Sequence, residues 1–547
     1  MNNPMKRRNF LVLLAAGIGS AVTLAVAKYF PSSSDARSSD TAATPAPASE
    51  NNPIVAENAL FGTAGWQIQP GHEATIEIQA YVSARSVAPG QELTFYVSTL
   101  ENSTPYTLAI YRLGWYQGTG GRLMHSVALT GQAQGYFDAS LFNLVNCPTA
   151  FVDSSTGLVE ARWKPSYTLT IPENWTTGVY LAKCVDAHGK ETYTSFNVLG
   201  NETAPYVVVT ADTTYAAYNN WGGQSLYPAS SKNHIPAFKV SFDRPSASQQ
   251  GSDQVLVFEA NTIRWLEREG YNVSYMSSID LHTHPEKLLQ HKAYLSIGHD
   301  EYWTKEMRDG VEAARDQGVG LAFLEANASY WQIRLEPNSA GVPNRTVVCY
   351  KVLSTANSAS DSGGVISSTL NRDPLFGVEN HRVTSLWRDP VVNRPENAMI
   401  GIMYSDYNSA LRGAGWTFDP QIATASFLHN ALLQDTNLQA GQTFNNDLVG
   451  YEWDRVYNNG HTPATLQILA TSHVVSIEGI HDTSNTTYYI APSGALVFAS
   501  GSIYWTSALD SYRYDPTLYG TKAAQTVPAI QQLMRNIMAA LVQAHQA

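Results

Sequence analysis

Three stretches of the chain bring phenols, carboxylates, amides and an imidazole to points where an apolar, strand-like run has just ended. They are Asp212-Thr213-Thr214-Tyr215-Ala216-Ala217-Tyr218-Asn219-Asn220-Trp221-Gly222-Gly223, Gly298-His299-Asp300-Glu301-Tyr302-Trp303 and Glu325-Ala326-Asn327-Ala328-Ser329-Tyr330-Trp331. One such stretch could do no more than cap the following helix, because Asp and Thr often start helices. Three together imply that their side chains share a cavity. Phenols, a carboxylate and an imidazole around one space are hard donors, and they suit a Lewis-acidic metal such as ferric iron.

Nucleophilic hydrolysis is poorly served by the same sequence. Gly222-Gly223-Gln224-Ser225-Leu226 lacks the closing glycine of a G-x-S-x-G turn, and no cysteine follows a sheet strand as an amidotransferase nucleophile would. Gly118-Thr119-Gly120-Gly121 lies in a region of alternating β character rather than between a strand and a helix, so it is not read as a phosphate cradle. His282-Thr283-His284 has no third ligand at useful spacing and is expected to decorate a loop before Pro285.

The elements that must position these residues follow from periodicity. After Pro205, strands at 206–210, 272–276, 293–297 and 320–324 alternate with helices at 262–269, 285–290 and 305–317, the rhythm of a parallel sheet with helices on both faces. In such a sheet ligands sit beyond the carboxyl ends of the strands. Beyond Tyr330 the pattern reads as loops, apart from a buried strand at 495–499 and a closing amphipathic helix at 527–543. Before Pro205, short alternating runs such as Ala74-Thr75-Ile76-Glu77-Ile78-Gln79-Ala80-Tyr81 are broken by turns at intervals of about ten residues, as in an immunoglobulin-like β-sandwich. The fold class expected is therefore α/β plus all-β: a sandwich over 61–200, carrying no chemistry, then a doubly wound α/β domain over 201–547.

The 547 residues leave room for such an arrangement. A charged fraction of 15% with Tyr 30, Trp 12 and Phe 17 excludes a disordered or coiled-coil chain. The net charge of -12 would repel a polyanion, so no nucleic-acid partner is expected. Lys6-Arg7-Arg8-Asn9-Phe10, a weakly apolar run and Ala25-Val26-Ala27 resemble a twin-arginine signal over 1–27 that directs export to the periplasm or outside. The alternative is a membrane anchor over 10–27. Export of a folded chain fits a cofactor inserted before transport. Residues 28–60, rich in Ser, Ala, Pro, Thr and Asn, are expected to be a disordered linker. Cys147 and Cys184 could pair in an oxidising compartment, and Cys349 is expected to be a buried apolar residue.

Several of these stretches resemble a known family. The run from Thr214 through Tyr218-Asn219-Asn220-Trp221-Gly222-Gly223 to Tyr227, Val240-Ser241-Phe242-Asp243-Arg244-Pro245, Trp265-Leu266-Glu267-Arg268-Glu269-Gly270-Tyr271 and Gly298-His299-Asp300-Glu301-Tyr302-Trp303 are similar to the C-terminal domain of the N,N-dimethylformamidase large (beta) subunit family. So are Ile110-Tyr111-Arg112-Leu113-Gly114-Trp115-Tyr116, Gly178-Val179-Tyr180 and Val497-Phe498-Ala499-Ser500-Gly501. The resemblance implies an amidotransferase-like α/β domain without the nucleophilic cysteine. It also implies a mononuclear ferric iron held by two tyrosinates and one glutamate. By motif, Glu301 is the carboxylate ligand and Tyr218 the first phenolate. Tyr215, Tyr227 and Tyr180 compete for the second place, with Tyr215 first because it shares the strand end.

The expected function is then an exported, iron-dependent hydrolase of a C-N amide bond in a small molecule. His299 or Glu325 would handle protons, Asn327 would join them as a catalytic residue, and a small partner subunit or a homo-oligomer is expected. Tyr302 is expected on the opposite side of its strand end, away from the metal. The alternative is a non-catalytic exported carbohydrate- or surface-binding protein that uses its Trp and Tyr residues as stacking platforms.

Overall fold

Short alternating runs and long apolar runs fold here into two units that share a buried seam. The structure is a computed structural model that describes residues 52–200, 203–351, 373–408, 413–421, 427–512 and 526–545. The expected signal over 1–27, the alternative anchor and most of the expected linker lie outside the described residues. Among the described residues no helix is long and apolar enough to cross a membrane.

The first unit packs two sheets face to face. Ile78–Val82, Glu92–Thr99 and Tyr167–Thr170 form an antiparallel sheet of three strands. Ser86–Val87, Glu191–Val198, Gly178–Asp186, Pro105–Leu113 and Gly121–Thr130 form the facing five-stranded sheet. Ile78, Val82, Phe95 and Val97 of one meet Leu108, Ile110, Tyr180 and Phe196 of the other in one core. The strands 178–186 and 191–198 are buried almost throughout, because their outer face packs against the second unit through Val179, Leu181 and Tyr193. The cysteines are free thiols: Cys184 is inside the sandwich core, while Cys147 is half-buried on a loop with its thiol on the carbonyls of Tyr136 and Val145. The pairing of Cys147 with Cys184 that the sequence leaves open is not formed.

The second unit is built on strands β1 (Tyr206–Thr210), β2 (Val273–Ser277), β3 (Ala293–Ile297), β4 (Gly320–Leu324), β5 (Gln467–Val475), β6 (His481–Ile490) and β7 (Leu496–Ala499). Their spatial order is β2-β1-β3-β4-β7-β6-β5, the first five parallel and the last two antiparallel. The helices that flank this sheet include α2 (Asp212–Tyr218), α3 (Ala260–Arg268), α4 (Ser278–Thr283), α5 (Lys305–Asp316) and α6 (Pro528–Leu541). Alternate residues of each strand face opposite sides. Val208, Leu295 and Ala322 pack with α3 and α6, whereas Val207, Val209, Leu321 and Phe323 pack with α4 and α5. Helices therefore cover both faces, as the alternation of strands and helices implies.

The region after Tyr330 departs from expectation. Trp331–Glu336 pairs parallel to Tyr302–Thr304 and antiparallel to Thr346–Val348, and Lys239–Ser241 completes this small sheet. β5 and β6 extend the main sheet. β6 is buried along most of its length, so its polar run Asp482-Thr483-Ser484-Asn485-Thr486-Thr487 carries no alternation that could announce it.

Beside its apolar contacts the seam buries ion pairs. Arg112 makes a two-pronged ion pair with Glu267, Nη2 to Oε1 at 2.7 Å and Nη1 to Oε2 at 2.9 Å, with both side chains fully buried. Arg85 reaches Asp212 at 2.7 Å and Asp253 at 2.6 Å. Removing one member of such a pair would leave a buried charge, at a cost of about 3–5 kcal/mol. The expected linker is ordered at its end: Pro53–Asn58 forms helix α1, with the Asn52 side chain accepting from Ile54 N. Asn58 bonds to Glu267 of the second unit and accepts from Trp115 N and Tyr116 N of the first, so this segment straps the units together.

Candidate metal centre

The site begins at the carboxyl end of β1. Helix α2 is buried on all sides and stops at Asn219, whose extended backbone turns the chain away. Arg244 holds the turn, donating to the carbonyls of Asn219, Trp221 and Gln224. Gly222 and Gly223 take φ of +84° and +83°, and a Cβ on Gly222 would stand 2.7 Å from Val159 Cγ1, so both positions need glycine. Leu226 N then bonds to Ala217 O, which lays Tyr227 against Tyr218 with ring centroids 4.5 Å apart. Two tyrosines nine positions apart thus present their hydroxyls side by side.

Glu301 arrives from the neighbouring strand end. Gly298, at φ +86°, turns the chain after β3. Thr214 Oγ1 then accepts from both Glu301 N and Tyr302 N, at 3.0 and 3.2 Å, while Thr213 Oγ1 donates to Tyr302 O. The two threonines of α2 thereby fix where the carboxylate stands. Tyr218 Oη donates to Glu301 Oε2 at 2.6 Å, and Tyr227 Oη lies 2.8 Å from Tyr218 Oη and 3.1 and 3.2 Å from the two carboxylate oxygens.

His299 Nε2 stands 3.4 Å from Glu301 Oε2 and 3.7 Å from Glu452 Oε2, near enough to pair with either. Asn327, at φ +62°, donates from Nδ2 to Glu452 Oε2 at 3.3 Å. Lys351 Nζ lies 3.7 Å from the ring centre of Tyr227 and 4.6 Å from that of Trp331, and it has no hydrogen-bond acceptor among the described residues. A cation over aromatic faces is a favourable arrangement, more so when dry.

Electrostatics divide these groups. Burial would raise Glu301, but His299, the Lys351 ammonium and the Tyr218 hydroxyl hold its carboxyl below the ordinary range. Burial opposes a charge on His299, and the carboxylates of Glu301 and Glu452 overcome it, so its imidazole lies above its usual value. Glu452 is pushed up to about 7, chiefly by burial, and Lys351 down to about 8 for the same reason. Burial and the Glu301 charge push the hydroxyls of Tyr218 and Tyr227 well above the usual phenol range. They would become phenolates only with a cation among them.

Not all the residues singled out in the sequence meet here. Tyr215 Oη donates to Glu259 Oε1 at 2.5 Å on another side of α2, and Tyr180 Oη donates to Thr176 O with its ring stacked on Trp175 and Phe196 inside the sandwich. The second phenol beside Tyr218 and Glu301 is Tyr227. Glu325 is bound by Ser296 Oγ and by Asp300 N, so its carboxylate braces the Gly298–Glu301 turn and does not face the tyrosines. Tyr302 is not turned away: its Oη donates to Tyr227 Oη at 2.5 Å. Lys351 and Glu452 were not foreseen, because neither lies in a stretch that the sequence marks out for chemistry. Among the described residues no group of three or more His, Cys, Asp or Glu side chains is arranged to hold a metal ion, and His282 is satisfied by Thr304 Oγ1. A metal here would rest on phenolate oxygens with one carboxylate, a hard set that fits ferric iron.

Comparison with known proteins gives a family. The N,N-dimethylformamidase beta subunit of an Alcaligenes species is 23% identical over 462 residues, covering 73% of this chain and 58% of that protein. That of Paracoccus aminophilus is 22% identical over 464 residues, again covering 73% of this chain and 58% of that protein. The chain thus spans 58% of the length of these curated relatives. Among solved structures, the sporulation control protein Spo0M of Bacillus subtilis aligns over 23% of this chain and 49% of that one at 12% identity, with a TM-score of 0.14 too low to bear on the fold. The family model described as N,N-dimethylformamidase beta subunit-like, C-terminal, matches residues 107–518, which include α2, the Gly298–Glu301 turn, Lys351 and Glu452, and the chain belongs to that family.

Proposed function

We propose that the chain is an iron-dependent hydrolase of the C-N bond in small amides, with the metal held by Tyr218, Tyr227 and Glu301. The observation that carries this reading is the meeting of two phenol oxygens and one carboxylate, Tyr218 Oη at 2.6 Å and Tyr227 Oη at 3.1 Å from Glu301, in a chain of the dimethylformamidase beta subunit-like family. Ferric iron bound there would supply Lewis acidity toward an amide carbonyl.

The chain's own residues do the rest. His299 Nε2, between Glu301 and Glu452, is the group that can hold a proton and pass it to a departing amine nitrogen. Asn327 orients Glu452 for that exchange. Lys351 offers an ammonium whose donors meet no acceptor among the described residues, suited to a carbonyl or carboxylate oxygen of the bound molecule. Glu325 supports the turn that carries His299 and Glu301. Tyr227 and Lys351 are 5% and 2% exposed, so the site excludes bulk water and favours a small substrate.

The same reading takes the first unit as immunoglobulin-like and the second as amidotransferase-like, supported by the facing, mainly antiparallel sheets and by the parallel strands with helices on both faces. It takes the chain as exported, on the strength of Lys6-Arg7-Arg8 and Ala25-Val26-Ala27. It also takes the chain to work with a partner subunit, a reading that relatives named beta subunits support, and takes that partner to be small, with a homo-oligomer as the alternative.

The test is to supply the full chain with iron and follow amine release from N,N-dimethylformamide, formamide and acetamide. Turnover of at least one, lost in His299→Ala, is expected. Iron-replete protein that hydrolyses none of them would overturn the hydrolase and leave an exported binding protein, to be examined with carbohydrates.

A further inference from the structure

Tyr302 is fully buried, and every side of it is fixed. Its backbone N–H is held by Thr214 Oγ1 and its carbonyl by Thr213 Oγ1. Its ring lies at 19° to that of Trp331 and nearly perpendicular to those of Tyr218 and Tyr227, at 88° and 85°. Among the described residues its hydroxyl donates to one acceptor, Tyr227 Oη at 2.5 Å. The hydroxyls therefore form a series, Tyr302 to Tyr227 and Tyr218 to Glu301, in which Tyr302 does not reach the carboxylate.

Resting on the metal reading above, we infer that Tyr302 is a positioning residue that makes the two phenolate donors unequal. If a bound cation displaces the protons of Tyr218 and Tyr227 to water, Tyr302 keeps its own and donates a hydrogen bond to the Tyr227 oxygen. A hydrogen bond to a charged acceptor is shorter and roughly twice as strong as a neutral one. It draws electron density from that oxygen, so Tyr227 becomes the weaker electron donor of the two and Tyr218 the stronger. The buried fixing of the Tyr302 ring keeps this difference constant. Outer partners that bond a metal's ligands are the usual means by which a protein adjusts donor strength.

The experiment compares iron-loaded wild type with Tyr302→Phe, reading iron content and the visible charge-transfer band. The expected result is unchanged iron stoichiometry with the band of Tyr302→Phe moved to longer wavelength, because the released phenolate gives up its electron more easily. A second measurement needs no variant: in wild type, one of the two tyrosinate C–O vibrations should shift on transfer from H2O to D2O. An identical band in a fully loaded Tyr302→Phe, or no isotope-sensitive tyrosinate vibration in coloured wild type, would overturn this inference and leave the metal reading intact. Loss of iron from a folded Tyr302→Phe would also overturn it, since a positioning residue is not a ligand. A wild type that takes up no iron would overturn the metal reading and this inference with it.

Discussion

Tyr215 and Tyr218 stand three residues apart on the same short helix, and each donates to a buried glutamate, Tyr215 to Glu259 at 2.5 Å and Tyr218 to Glu301 at 2.6 Å. By residue type and distance the two pairs are nearly the same. Their surroundings are not. Glu259 has Ala211 N as its further donor, and the carboxylates of Asp212 and Asp300 nearby; burial pushes it up to about 8. Glu301 meets the same burial, but His299 and Lys351 hold it below the ordinary range. One pair is neutral at pH 7 and ties α2 to the π-helical turn Val255–Glu259; the other is anionic and sits beside a second phenol. A buried Tyr–Glu pair keeps an anionic carboxylate, as the proposed ligand set requires, where positive groups offset desolvation, and is a neutral structural tie where they do not.

The comparison can be broken most sharply at the carboxylates. Glu301→Ala should leave the protein without iron and without amide turnover, whereas Glu259→Gln, which keeps the shape of the neutral acid, should retain both; metal analysis and amine release decide. Thr214→Val should come next in effect. It orphans the N–H groups of Glu301 and Tyr302, at about 1–3 kcal/mol for each buried donor, and should weaken iron binding about 10- to 100-fold, as changes to the groups behind metal ligands do. Thermal unfolding and iron titration read the two effects separately.

The smallest effect sharpens the contrast from the other side. Glu259 keeps its proton up to about 8 in the folded chain against an ordinary value of 4.5, so between these values the folded state binds a proton that the unfolded state has released. That contribution to stability is complete below 4.5 and is lost as pH rises toward 8. Glu259→Gln cannot ionise, and it should gain on wild type by about 1–3 kcal/mol between pH 5 and 8 in denaturant unfolding. A parallel fall of both proteins with pH would show that Glu259 is ionised when folded.

The three strand ends and the rhythm of strands and helices were legible because apolar runs and their punctuation are local. β1, β3 and β4 lie where the sequence puts them, and the expectation that the Asp212 and Gly298 stretches converge is met by Tyr218 and Glu301. The choice of Tyr227 over Tyr215 was not legible. It depends on two left-handed glycines and the Arg244 clamp folding a nine-residue loop back on its own helix, and periodicity does not register such a turn. Lys351 and Glu452 were hidden for a related reason, since the small sheet that carries the first and the strand Glu452–Arg455 that carries the second pair with partners distant in sequence. The polar strand β6 shows the same blindness, because a strand buried on both faces need not alternate.

The central claim is that Tyr227, not Tyr215, completes the ligand set with Tyr218 and Glu301. The most direct measurement is the iron content per chain, with the visible absorption, of wild type, Tyr227→Phe and Tyr215→Phe purified after iron-supplied expression. The account expects about one iron and a coloured protein for wild type and for Tyr215→Phe, whose loss should appear only as lower thermal stability, and an iron-poor, pale Tyr227→Phe. A Tyr227→Phe protein as iron-rich and coloured as wild type, beside a Tyr215→Phe protein that has lost both, would contradict it.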